Sequence, residues 1–216
     1  MDITWLGHSS FRIKGKNVAV VTDPFESGKV GFKFPKTEAD IVTISHDHWD
    51  HNRADLVGGS PKAVNGPGEY EIKGVSIFGM PTYHDAKKGQ ERGKNTVYVI
   101  TIDKIRVCHL GDLGHTLSEE QVGEAGEVDV LLAPVGGVYT IGAKEAGEII
   151  SRLEPKVVIP MHYKTGELNQ ETFGKLAEVG EFIKEVGIEP VRDSKFSITA
   201  DKIPEEMQLV ILERRS

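Results

Sequence analysis

The sequence predicts an α/β fold in which β-sheets pack face to face and helices lie outside them. Three observations carry this. Short apolar runs of strand length crowd the first half of the 216-residue chain. Helical periodicity enters only in the second half, where it alternates with further strand-like runs. The resulting order, many strands and then alternating helices and strands, is that of layered sheets covered by helices. Length fits one domain, and no repeat, low-complexity segment or linker divides residues 1–216.

The elements follow in order. Residues 3–6, 11–13 and 18–21 are β-rich runs separated by Gly7 and by Lys14-Gly15-Lys16-Asn17, a plausible hairpin turn. Asp23-Pro24 ends the third run, because Pro cannot continue a central strand. Residues 26–38 lack periodicity and read as a loop. Residues 41–44 form a short buried strand. Further strands are expected at 62–65, 69–72, 75–79, 96–102 and 105–109. Ser118-Glu119-Glu120-Gln121 has the form of a capping box, so a helix starts there. Residues 128–133 read as a buried strand ending at Pro134. Ala146, Ile149, Ile150 and Leu153 lie at helical spacing, and Pro155 stops that helix. A strand at 157–159 leads into Pro160-Met161-His162. Residues 170–186 are helical in pattern, with Gly174 and Gly180 as weak points, and 196–198 and 209–212 close the fold as strands.

Composition narrows the function. With 26 Lys+Arg against 33 Asp+Glu the net charge is −7, which disfavours a general nucleic-acid binder. One Cys, Cys108, permits neither an intramolecular disulfide nor a Cys-rich zinc site. The amino terminus lacks the pattern of a secretory signal, and no apolar run approaches the ~18 residues of a membrane span. A cytoplasmic protein acting on a small molecule is expected. A homo-oligomer is compatible with the sequence, which leaves assembly open.

Of eight His, three fall within His46-Asp47-His48-Trp49-Asp50-His51. The pattern H-x-H-x-D-H would arise by shuffling in roughly one such chain in two thousand. Imidazole and carboxylate suit zinc and similar divalent ions. In an extended segment His46 and His48 point the same way, and a chain that then turns into a helix near Trp49 would aim Asp50 and His51 at a neighbouring position. Four ligands exceed the three of an open catalytic zinc, so they fit better if shared between two ions.

The cluster resembles the signature of metallo-β-lactamase-fold hydrolases. Trp5-Leu6-Gly7-His8-Ser9, Asp23-Pro24, Pro67-Gly68-Glu69-Tyr70, Tyr83-His84-Asp85, His109-Leu110-Gly111-Asp112, Pro134-Val135-Gly136-Gly137 and Pro160-Met161-His162-Tyr163 extend the resemblance along most of the chain. They come in the order of the UPF0173-type branch, similar to ascorbate-6-phosphate lactonases and, more distantly, to N-acylphosphatidylethanolamine phospholipase D. The resemblance implies a four-layer αββα sandwich with the metals at its edge. It implies His46, His48 and His84 on a first ion, Asp50, His51 and His162 on a second, and Asp112 bridging. The third-His motif is usually Gly-His-Thr. Here that form occurs at Gly114-His115-Thr116, after the Gly-Asp motif, so His84 is preferred to His115.

Other residues carry two readings. His8 is either a turn residue after Gly7 or, by resemblance, a substrate contact or proton donor. Asp23 reads as a turn residue or as the acceptor that orients a metal-bound His. Gly136-Gly137 makes a tight turn or lets substrate approach bare backbone, with Tyr139 and Thr140 lining the pocket. Trp49 reads as packing, and His109 as a hydrogen-bonded core residue. Lys33, Lys87, Lys88, Arg92 and Lys94 read as solvated loop residues that would still attract an anion.

The expected activity is hydrolysis of an ester, lactone or phosphodiester in a small anionic substrate. A metal-bridging hydroxide would be the nucleophile, with Asp50 orienting it. Zinc is the first choice of ion, with manganese or iron as alternatives. The rival readings are a single-iron redox enzyme of the same fold and a nuclease.

Overall fold

The first three runs form a meander. In the computed structural model, which describes residues 1–215, β1 (Asp2–Gly7), β2 (Ser10–Lys14) and β3 (Ala19–Thr22) pair antiparallel in sequence. Gly15 N–H donates to Val18 C=O at 2.9 Å and closes the second hairpin. A one-turn helix, α1 (Ser27–Val30), lies in the stretch expected to be loop. Then β4 (Ile41–Ile44) and β5 (Lys62–Asn65) add in parallel beyond β3.

The second sheet begins with β6 (Gly68–Ile72), β7 (Val75–Tyr83), β8 (Lys94–Ile102) and β9 (Ile105–His109), again antiparallel in sequence. After α2 (Glu119–Ala125) it continues in parallel through β10 (Val130–Pro134), α3 (Ala143–Leu153) and β11 (Val157–Met161). The chain closes with α4 (Gln170–Phe173), α5 (Val179–Val186), β12 (Val191–Asp193), β13 (Phe196–Ser197) and β14 (Gln208–Leu212). The six-stranded sheet has the order β13-β1-β2-β3-β4-β5, and the eight-stranded sheet β12-β14-β11-β10-β9-β8-β7-β6.

Side-chain alternation explains the layering. In β3, Val20 enters the core between the sheets, while Ala19 and Val21 turn to a second cluster with Phe25, Phe34 and Phe173. β4 divides the same way, Ile41 inward against Val42 and Ile44 outward. The parallel strands β10 and β11 are buried throughout, as parallel strands covered on both faces are. Ala146, Ile149, Ile150 and Leu153 of α3 and Phe182 of α5 join their core. Val30 of α1 and Phe173 of α4 belong to the outer cluster of the first sheet. Helices therefore cover the outer faces of both sheets.

The Ser118 capping box forms as its residues require: Ser118 Oγ accepts from Gln121 N–H at 3.2 Å and Gln121 Oε1 from Ser118 N–H at 3.0 Å. The single helix expected over 170–186 is instead two. The chain leaves helical geometry after Gly174, where Ala177 bonds elsewhere: Ala177 N–H donates to Gly136 C=O at 2.8 Å, and Lys164 N–H donates to Ala177 C=O at 2.9 Å. The strand β12 carries no apolar alternation, since all three residues are exposed at a sheet edge. No helix of the described residues is long and apolar enough to cross a membrane.

Candidate metal centre

The residues singled out by the sequence collect where strands end. His8 follows β1, Asp23 follows β3, His46 follows β4, His84 follows β7, Asp112 follows β9 and His162 follows β11. Strands drawn from both sheets thus deliver their loops to one end of the sandwich, on a rigid scaffold.

Asp112 is the hub. Its Oδ2 lies 3.2 Å from His51 Nε2, 3.3 Å from His84 Nε2, 3.3 Å from His162 Nε2 and 4.0 Å from His46 Nε2. Donor atoms fall into three compact and overlapping groups: His46, His48 and His84; His8, Asp50, His51 and His162; and Asp23 with His46 and His51 behind them. All are buried except His48, which is partly exposed. The buried Nε2 of His46, Nε2 of His51, both nitrogens of His162 and Oδ1 of Asp112 have no hydrogen-bond partner. Unsatisfied buried polar atoms cost about 1–3 kcal/mol each. So many of them converging on one carboxylate fit a site built for cations. The donor set, imidazole and carboxylate with no thiolate, suits zinc, manganese or iron.

A buried carboxylate behind the cluster holds two of its imidazoles. Asp23 Oδ2 accepts from His51 Nδ1 at 2.9 Å, which turns His51 Nε2 toward Asp112. The same oxygen takes Ser45 Oγ–H at 2.5 Å, and Ser45 Oγ lies 2.9 Å from His46 Nδ1. Asp112 is fixed by its own backbone, whose N–H donates to Asn95 Oδ1 at 2.9 Å. Gly111, at φ +58°, leaves room for Asn95 and Ser45, which a Cβ would strike. Three non-glycine residues adopt left-handed backbone here: His8 (φ 53°), Asp23 (φ 40°) and His162 (φ 51°).

Proton affinities follow the packing. Burial and the neighbouring His51 drive His46 far below the usual imidazole range. His51 moves the other way: burial opposes protonation, but the Asp112 and Asp50 carboxylates outweigh it. For Asp112, burial is outweighed by His162 and His51, which hold the carboxyl well below its ordinary range. Burial and His162 press His8 down to about 4 against the pull of Asp50.

A cavity of about 220 Å³ opens above the cluster, lined by His48, Asp50, His84, Asp112 and His162 and walled by Trp49, Tyr139 and Phe173. Tyr139, expected at the substrate, is on this wall. Gly136 and Gly137 are not. Gly136 packs so closely on His162 C=O that a Cβ would not fit, and Gly137 N–H is spent on Ile141 C=O at 3.2 Å. Their bare backbone serves the turn and the approach to His162, not an opening. His8 is 1% exposed and lies beneath the cavity, its Nε2 3.2 Å from Asp50 Oδ2 and its ring tilted 44° against that of His162, centroids 4.2 Å apart. It therefore meets Asp50 rather than the cavity space.

His115 stays outside the cluster, accepting from Tyr83 N–H at 3.2 Å and bonding Thr116 C=O at 2.8 Å. His109 is fully buried, with Nε2 2.8 Å from Ser9 C=O. Phe173 and Thr172 line the cavity without having been singled out, and Arg92, read only as one of five solvated loop residues that would attract an anion, lines it too. No local pattern marks them: the first two belong to a short helix with one buried residue, and Arg92 sits in a Gly- and Lys-rich stretch.

A profile of the β-lactamase superfamily domain matches residues 2–162. A UPF0173 metal-dependent hydrolase of Methanopyrus kandleri is 32% identical, over 88% of this chain and 97% of its own. Among solved structures, a Thermotoga maritima protein described as a Zn-dependent hydrolase of the metallo-β-lactamase superfamily is 40% identical, covers 99% of each chain and superimposes with a TM-score of 0.81. A diiron β-hydroxylase of Streptomyces venezuelae is 14% identical, with a TM-score of 0.65 over 99% of this chain and 53% of its own, and is alike in fold alone.

Proposed function

This chain belongs to the UPF0173 metal-dependent hydrolases of the β-lactamase superfamily, and from that premise we propose that it hydrolyses an ester, lactone or phosphodiester bond in a small anionic substrate with two divalent ions. His46, His48 and His84 would hold one ion and Asp50, His51 and His162 the other, with Asp112 between them. The observation that carries this reading is the convergence of four imidazole Nε2 atoms on Asp112 Oδ2 within 4.0 Å. Zinc is the first choice of ion.

When bound, such ions lower the pKa of water toward neutrality and offset negative charge that develops on the substrate. The chain's own residues do the rest. Asp50 lines the cavity with a carboxylate that His8 anchors from below, so it can orient a water and take its proton. Asp23 keeps a proton on His51 Nδ1 and frees Nε2 for the site. Trp49, Tyr139 and Phe173 give the space above apolar and aromatic walls.

The test is a panel of lactones, phosphodiesters, β-lactams and thioesters, given to protein reconstituted with zinc, manganese or iron. Ion content is measured on the same samples. At least one class is expected to turn over. His48→Ala and Asp112→Ala are expected to abolish turnover and lower ion content while circular dichroism stays unchanged. Wild-type turnover in both variants contradicts the proposal. Stoichiometric iron without hydrolysis would move the reading to redox chemistry.

A further inference from the structure

Arg92 is the only Lys or Arg on the wall of the cavity above the cluster. It is also on the wall of an adjoining cavity of about 420 Å³, which shares His48 and Arg92 with the first. The guanidinium thus stands where two spaces meet, beside the candidate metal ligands.

Its hydrogen-bonding capacity is unspent. Arg53, Arg106, Arg152 and Arg214 commit their guanidinium groups to carboxylates or backbone carbonyls. Among the described residues, Arg92 has no side-chain hydrogen bond and no ion pair, in a chain of net charge −7. A half-buried fork with free donors, facing a cavity, matches a planar or tetrahedral oxyanion.

The group is also held in place. The loop that carries it is wound around the Asp85 carboxylate. Lys87 N–H and Gly89 N–H donate to Oδ1 at 2.8 and 2.9 Å, and Glu91 N–H and Arg92 N–H to Oδ2 at 3.0 and 2.8 Å. On the far side, Arg92 Cζ lies 5.6 Å from the centre of the Tyr139 ring. Tyr139 is anchored in turn, its hydroxyl donating to Thr172 C=O at 2.7 Å. A fork with its backbone caged and its charge set over an anchored ring loses less freedom than a free one when it takes a ligand.

We infer that Arg92 is the anion receptor of this site, taking a carboxylate or phosphate of the substrate while the bond to be cleaved lies over the His/Asp cluster. The cleavage half rests on the hydrolase reading; the anion-binding half does not.

Three probes of similar size test it by isothermal titration at one ionic strength: phenyl phosphate, phenylacetate and the neutral phenylacetamide. Wild type, Arg92→Ala, Arg92→Lys and Lys88→Ala are compared at equal measured ion content. Wild type is expected to bind at least one anion tenfold or more tighter than the amide. Arg92→Ala is expected to lose that preference and Arg92→Lys to recover only part of it, because an ammonium lacks the fork. Lys88→Ala, on the same loop but off the cavity wall, is expected to keep it. Whichever anion shows the larger loss identifies the substrate's charged group. An Arg92→Ala protein that binds both anions as wild type does overturns the inference, as does an equal loss in Lys88→Ala. If the preference depends on Arg92 but no member of the substrate panel turns over, the hydrolase reading fails and the anion receptor stands.

Discussion

Asp23 Oδ2 accepts the Nδ1 proton of His51 at 2.9 Å, with both side chains fully buried. One carboxylate therefore decides which imidazole nitrogen faces Asp112. Asp23→Asn keeps the volume but removes the charge and leaves only one acceptor for Ser45 and His51. Loss of such an orienting partner typically costs 10–100-fold in metal affinity. A chelator-competition titration is expected to show a loss of about that size, with the circular dichroism spectrum unchanged. Wild-type affinity would mean that His51 is positioned by something else.

Ion removal is expected to lower stability. A ligand at 100 times its Kd adds about 2.7 kcal/mol to a folded state. For a chain of this length each kcal/mol moves Tm by roughly 2–4 °C. Calorimetry of the zinc-loaded protein is expected to show Tm falling by about 5–10 °C for each ion the chelator removes. A Tm indifferent to the chelator would show that the buried, unpartnered nitrogens of His46, His51 and His162 are not answered by an ion.

Val138 is a β-branched residue at φ +62°, 49% exposed, spanned by a bond from Tyr139 N–H to Gly137 C=O at 2.7 Å. A three-residue turn of this hand is strained, by about 1–3 kcal/mol for a non-glycine residue. Glycine would relieve it and cost about 0.5–1 kcal/mol in chain entropy. Val138→Gly is expected to raise Tm by about 2–4 °C and to reduce turnover by loosening Tyr139. A lower Tm would show that the Val138 side chain contributes packing that outweighs the strain.

The Asp85 cage makes a local statement. Burial alone would raise the Asp85 carboxyl, but four backbone N–H bonds carry it down to about 2. Asp85→Asn presents one acceptor oxygen where there were two. Amide hydrogen exchange at Glu91 and Arg92 is expected to accelerate about tenfold or more, with strands β7 and β8 unaffected. Unchanged exchange would mean that the turn geometry holds the loop without its carboxylate.

Much of this was legible in the chain. The H-x-H-x-D-H run is local, so its chemistry shows before any fold is known. Strand ends are legible too, because Pro24, Pro134 and the apolar runs before His46 and His162 mark them. What stays hidden depends on segments distant in sequence. Arg92 and Tyr139 meet across 47 positions, and neither carries a pattern that names the other. The break after Gly174 comes with bonds from Ala177 to Gly136 and Lys164, which helical periodicity cannot register. His8 follows Gly7 as a turn residue would, yet its ring is driven under Asp50 by the left-handed backbone at φ 53°. The Gly136-Gly137 pair suggested an open surface because glycine permits close approach; the close partner is His162, not a ligand.

The most direct test of the central claim is the anomalous-scattering crystal structure of the zinc-reconstituted protein, with elemental analysis of the same batch. The expected result is two ions per chain, about 3.5–4 Å apart, one on His46, His48 and His84, the other on Asp50, His51 and His162, with Asp112 touching both. A protein that retains no ion at this cluster, or a single ion that leaves either group of donors empty, would contradict it.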